Sequence, residues 1–96
     1  GWRFLDLTRD QHFRRHGSDF GAGSVEEYEQ MASAFANRRG SDGVESFVSH
    51  TGLIFMYEPA TNTFLMCRSN PHLITFFKPT SAAYWKTQRN SHEATE

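Results

Sequence analysis

Ninety-six residues carry one cysteine, three prolines and only two lysines, and neither sign of charge dominates. With Cys67 alone, no internal disulfide can form, so packing must hold the fold; Cys67 lies in an apolar run and reads as a reduced core residue. Ten Lys and Arg oppose eleven Asp and Glu, a formal net charge of -1, which speaks against a domain that grips nucleic acid by bulk positive charge. No apolar run has the length of a bilayer-crossing helix, so no membrane segment is expected. The first residues lack a charged region followed by a small-residue cleavage site, so no secretory signal is expected either. Internal repeats and low-complexity stretches are absent.

What is abundant is aromatic surface: nine Phe, three Tyr and two Trp. Those rings can build one modest core, and the length suits one domain. The expected domain spans residues 1–86, followed by a polar tail, 87–96, that frays. Charge is segregated along the chain. Eight of the ten cations are arginine, with pairs at Arg14-Arg15 and Arg38-Arg39, while Glu26, Glu27 and Glu29 cluster elsewhere. Segregation of this kind makes a local binding face possible despite a neutral total.

Helical signals come first. Thr8-Arg9-Asp10-Gln11 has capping-box spacing and predicts a short helix over about 9–15, with Gly17 taking a left-handed ending. Ser24-Val25-Glu26-Glu27 is a second capping box. Val25, Tyr28, Met31, Ala32 and Phe35 then fall on one face at helical spacing, with Arg38 and Arg39 in the last turn and Gly40 as the stop. After the turn Ser41-Asp42-Gly43 the pattern turns to strands: 44–49, 52–58, 63–68 and 73–78, joined by short connections rich in Gly, Pro and Asn. The expected fold is α+β, with two N-terminal helices packed on one face of a four-stranded antiparallel meander sheet. Tyr84 and Trp85 fold the segment after the last strand back onto the body.

The densest chemistry lies in Arg14-Arg15-His16-Gly17-Ser18-Asp19-Phe20-Gly21. Histidine exchanges a proton near neutrality, and adjacent guanidiniums suit a phosphate. The plain alternatives are that His16 caps the first helix and that Arg14 and Arg15 form its solvated end. His12 and His16 share a face at i, i+4 spacing, which could hold zinc, but no third ligand is evident, so no metal is assigned and His12 reads as a surface histidine. His72 and His92 read as solvent histidines, and His50 is a weak second candidate. On the last strand Thr75 and Phe77 face one way and Phe76 the other, so one of the two phenylalanines belongs to the core.

Three short motifs carry a family resemblance. Arg15-His16-Gly17-Ser18-Asp19-Phe20-Gly21 resembles the His-x-x-Asp-Phe-Gly element of colicin D-type tRNase domains. Tyr57-Glu58-Pro59-Ala60-Thr61-Asn62 resembles their Tyr-Asn-Pro-x-Thr turn, and Thr75-Phe76-Phe77-Lys78-Pro79 their terminal-strand motif. The order and spacing match over roughly residues 9 to 79. The wider set is the barnase–EndoU–colicin–RelE-like nucleases, found as C-terminal toxins of contact-dependent inhibition proteins, in bacteriocins and beside phage head proteins.

The resemblance implies a metal-independent ribonuclease, without cofactor, that cuts tRNA in the anticodon region. It places the catalytic histidine on His16 and the preceding basic residue on Arg15, where the colicin has lysine. Thr75 stands at a serine position, Phe77 at a tryptophan position, and Lys78 matches directly. The chemistry so implied is transesterification by the substrate's own 2′-hydroxyl, giving a 2′,3′-cyclic phosphate and a 5′-hydroxyl. His16 would act as base or acid; Arg15, Lys78 and, from the same run, Arg14 would stabilise phosphorane charge; Thr75 would bond a phosphate oxygen or orient the ribose; Phe77 would stack on a base. It also implies a cognate immunity protein, a possible host translation factor, and secretion as the last module of a larger bacterial protein acting in the target cell's cytoplasm. Two rivals remain open: a non-enzymatic interaction module using the aromatic sheet as a docking face, and a phage-associated nuclease of the same fold.

Overall fold

The computed structural model describes residues 1–94. Its elements run β1 (Arg3–Phe4), α1 (Asp6–His16), a 3₁₀ turn (Gly17–Phe20), α2 (Val25–Ala36), β2 (Glu45–Val48), β3 (Ile54–Glu58), β4 (Thr63–Arg68), β5 (His72–Phe77) and α3 (Ala83–His92). The fold is α+β, as the pattern implies, but with three α-helices and a five-stranded mixed sheet instead of two helices and four strands. Strands β2 to β5 form the antiparallel meander. The fifth strand is β1: Arg3 and Phe4 pair in parallel with His72 and Leu73, giving the order β1-β5-β4-β3-β2. Two residues carry no legible strand period, so this pairing escapes a sequence reading.

Both faces of the sheet are covered. On one, Phe4, Tyr28, Phe35, Ile54, Met56, Leu65, Cys67, Leu73 and Phe76 form a core with helices α1 and α2. On the other, Phe47, Phe55, Tyr57 and Phe64 pack with Trp85 of α3. The alternation follows from strand geometry, which sends neighbours such as Met56 and Tyr57 to opposite faces. Ile54 to Tyr57 are all buried, and an unbroken apolar run is what a strand covered on both faces requires.

The tail expected to fray from residue 87 is instead helical through His92, and its last two residues, 95 and 96, lie outside the described residues. Several contacts hold α3 in place: Trp85 stacks on Tyr57 at 5.5 Å and packs on Phe47 at 5.0 Å, Tyr84 meets Phe64 edge-on at 5.1 Å, the His92 ring lies 5.4 Å from Phe55, and the Ala94 amide donates to the Val48 carbonyl at 3.0 Å. Local polarity misleads here because two large rings at the start of the helix and one stacked imidazole at its end anchor the whole of it.

Helix α2 follows its sequence signals at the start but stops short of Arg38 and Arg39, which the pattern puts in its last turn. Ser24 caps it by accepting from the Glu27 amide at 3.1 Å, and Glu27 reaches back to accept from the Gly23 amide at 3.1 Å. It ends at Ala36, one turn before Gly40, whose φ of 87° closes the following turn. Helix α1 departs from its signals. It begins at Asp6, and Thr8 is inside it, donating from its hydroxyl to the Leu5 carbonyl instead of capping. Gly17 is not left-handed; its φ is -58°, and the reversal falls at Gly21 with φ 67°.

Candidate active site

Strand β1 pairs only with His72 and Leu73, so the remainder of β5 lies on the open edge of the sheet. Helix α1 ends at that edge. The turn after it is fastened by Phe20, which stacks on Phe76 at a centroid distance of 4.0 Å. The preceding residue His16 lies against Phe77, centroids 5.2 Å apart. Because residues 76 and 77 point to opposite faces, the Gly17–Phe20 turn and the end of α1 straddle the strand. Gly17 makes this close passage possible: it is buried, and a Cβ there would come within 2.6 Å of the Phe13 ring.

The sequence-predicted residues fall into separate groups. His16 and Phe77 are in contact, and Arg15 is close enough to act on the imidazole's charge. Thr75, half-buried, shares the Phe77 face of β5 by strand alternation. Arg14 and Arg15 are exposed in the last turn of α1, where the helix dipole favours cations. Among the described residues neither makes an ion pair.

Lys78 is not brought into this group. Its Nζ lies 5.3 Å from the Phe20 centroid and donates to the Thr61 carbonyl at 2.7 Å. It lines an open cavity of about 470 Å³ with Asp19, Phe20, Arg38 and Glu58, on the Phe76 side of β5. Arg38 pairs with Glu58 there, and that bond together with the Thr61 hydroxyl holds the Glu58 carboxyl below its usual range.

Burial lowers the His16 pKa; Asp19 opposes the shift and Arg15 adds to it. His12 is lowered as well, first by burial and then by His16 and Arg15. Both rings therefore favour the neutral form at neutral pH, the form that accepts a proton. His12 is not the surface histidine expected. It stacks on Phe4 at 5.2 Å and stands 6.3 Å from His16. The i, i+4 spacing that pairs the two rings is visible in sequence; the partner of each ring is not. His72 opens β5 and is half-buried, whereas His50 and His92 are exposed. Among the described residues no three His, Cys, Asp or Glu side chains gather at one point. Cys67 is buried, its thiol pushed up to about 11 by burial, as a core cysteine should be.

No family profile and no curated protein matches this sequence. A solved structure does: a ribonuclease from Escherichia coli complexed with its inhibitor protein, at TM-score 0.55 and 15% identity, covering 88% of this chain and 96% of that one. At such identity the likeness is one of fold, so the chain has the α+β fold of a bacterial ribonuclease.

Proposed function

We propose that this chain is a metal-independent endoribonuclease toxin that cuts tRNA in the anticodon region. The observation that carries the reading is the His16 imidazole, half-buried against Phe77 at the open edge of β5, on a fold shared with a ribonuclease. The choice of tRNA is supported by the three motifs that resemble colicin D-type domains.

In this reading neutral His16 takes the proton from the substrate's 2′-hydroxyl. The freed oxygen attacks phosphorus, the bond from phosphorus to the 5′-oxygen breaks, and that oxygen takes a proton from water as it leaves, while protonated His16 returns its proton to solvent. Arg15 and Arg14, both exposed in the last turn of α1, would meet the extra charge that builds on the phosphoryl oxygens. Thr75 donates to a phosphate oxygen, and Phe77 supplies an aromatic surface for a splayed base. Lys78 does not serve this phosphate, because it is held on the other side of β5. The proposed partner is an immunity protein that covers the His16 end of α1; the structural neighbour's pairing with an inhibitor supports a partner of that kind. A host translation factor, and delivery into a target cell as the last module of a secreted protein, belong to the same proposal.

The test is incubation of the purified chain with total tRNA in the presence of EDTA. Discrete fragments ending in a 2′,3′-cyclic phosphate are expected, and His16→Ala should slow their appearance by about 10²-fold or more. Intact tRNA at micromolar protein favours the docking module instead. Toxicity on expression that a neighbouring small protein does not relieve favours the phage-associated nuclease.

A further inference from the structure

A second groove lies between the N-terminal half of α1 and the start of β5. It encloses about 320 Å³ and is lined by Thr8, His12, Arg68 and His72, with Leu5, Leu73 and Ile74 as its apolar wall. The volume reaches the lower end of what small-ligand sites enclose. Its charge sets it apart. The cavity at Lys78 balances two cations with Asp19 and Glu58, whereas this lining holds one permanent cation, two imidazoles, a hydroxyl and no carboxylate. In a chain of net charge -1, a lining free of acid is a local departure that favours an anion.

The groove is built by α1 and, far along the chain, by the paired residues Arg68 and His72 where β4 ends and β5 begins. The Arg68 guanidinium is steadied by one bond, Nη1 to the Thr51 carbonyl at 3.0 Å, which leaves most of its five donors for another acceptor. The His12 ring is oriented by stacking on Phe4 and stands next to His16 on the same helix face, 6.3 Å away. A chain molecule whose scissile linkage lay at His16 would therefore run past His12 into the groove. None of Thr8, His12, Arg68 or His72 falls in the three motifs discussed above.

We infer that this groove takes the phosphate and ribose of the RNA nucleotide adjoining the cleaved linkage. Arg68 and His72 meet the phosphate oxygens, and Leu73 and Ile74 lie under the sugar. The inference rests on the ribonuclease reading of His16.

Binding is tested separately from cleavage, in the His16→Ala protein, by fluorescence anisotropy of a labelled single-stranded RNA pentamer over a range of salt. Arg68→Gln with His72→Gln should weaken binding about tenfold and reduce the salt slope by about one. Arg39→Gln, an exposed cation outside the groove, should change neither. Arg68→Lys keeps the charge and should recover most of the affinity. The inference is overturned if the double variant binds like its parent with the same slope. It is equally overturned if Arg68→Lys is as weak as Arg68→Gln, since the loss then reflects the Thr51 bond. If the unmutated chain leaves tRNA intact while pentamer binding still depends on Arg68, the groove stands and the catalytic reading falls.

Discussion

Gly17→Ala sets two effects of known size against each other. The Gly17 backbone is helical, at φ -58° and ψ -38°, where alanine is favoured over glycine by about 0.5–1 kcal/mol. The added methyl, however, would lie 2.6 and 2.7 Å from two carbons of the Phe13 ring, against an ordinary carbon contact of about 3.5–4.0 Å. Phe13 cannot yield freely, because its ring packs against Tyr28 in the core at 6.1 Å. Overpacking of this kind costs about 1–3 kcal/mol. The steric effect wins by about 1 kcal/mol, which lowers Tm by roughly 4–8 °C for a chain of this length. Thermal and urea denaturation measure it directly. In a Phe13→Ala background the clash is gone, so the same substitution should stabilise by about 0.5–1 kcal/mol. A Gly17→Ala protein more stable than its parent, with Phe13 intact, refutes the packing argument.

Three further outcomes follow from the same structure. Tyr28 is fully buried and donates to the Phe76 carbonyl, so Tyr28→Phe should cost about 1–3 kcal/mol in urea unfolding; an unchanged midpoint would remove that bond from the account. His12 and His16 both sit below the ordinary imidazole value of 6.5, chiefly through burial, so the folded chain binds fewer protons than the unfolded one. Stability should therefore be lost as pH falls below about 6.5, and the double variant His12→Gln/His16→Gln should flatten that loss; stability that rises on mild acidification contradicts it. Trp85→Ala, deleting a ring only 6% exposed between Phe47 and Tyr57, should cost about 3–5 kcal/mol, whereas under about 1 kcal/mol would mean α3 does not belong to the core.

The candidate site was legible in part. His16 and its arginines stand out because two guanidiniums, an imidazole and two glycines fall within eight residues, Arg14 to Gly21. That Phe76 and Phe77 face opposite ways followed from alternation alone, but the expected division into one core and one surface ring does not hold: Phe76, 2% exposed, enters the core under α1 and α2, and half-buried Phe77 packs on Phe64 and Tyr84 of the second core as well as on His16. What sequence could not show is where Lys78 goes. The turn at Phe20 captures its ammonium on the far side of the strand, and that capture depends on Phe20 stacking on Phe76, fifty-six positions away. His12 was misjudged for a similar reason: its partner Phe4 belongs to a two-residue strand with no pattern of its own.

Local chemistry by itself determined the capped helix α2, the four strands of the meander and the turn at Asn62, whose φ of 53° an asparagine tolerates. Each of these is settled by neighbours within a few residues, through capping bonds, period and turn geometry. Tertiary structure alone decided the parallel docking of β1, the seating of α3 on the second face of the sheet, and the meeting of His16 with Phe77. Those depend on which long-range surfaces can be buried together, and burial is a property of the packed chain that no window of sequence contains.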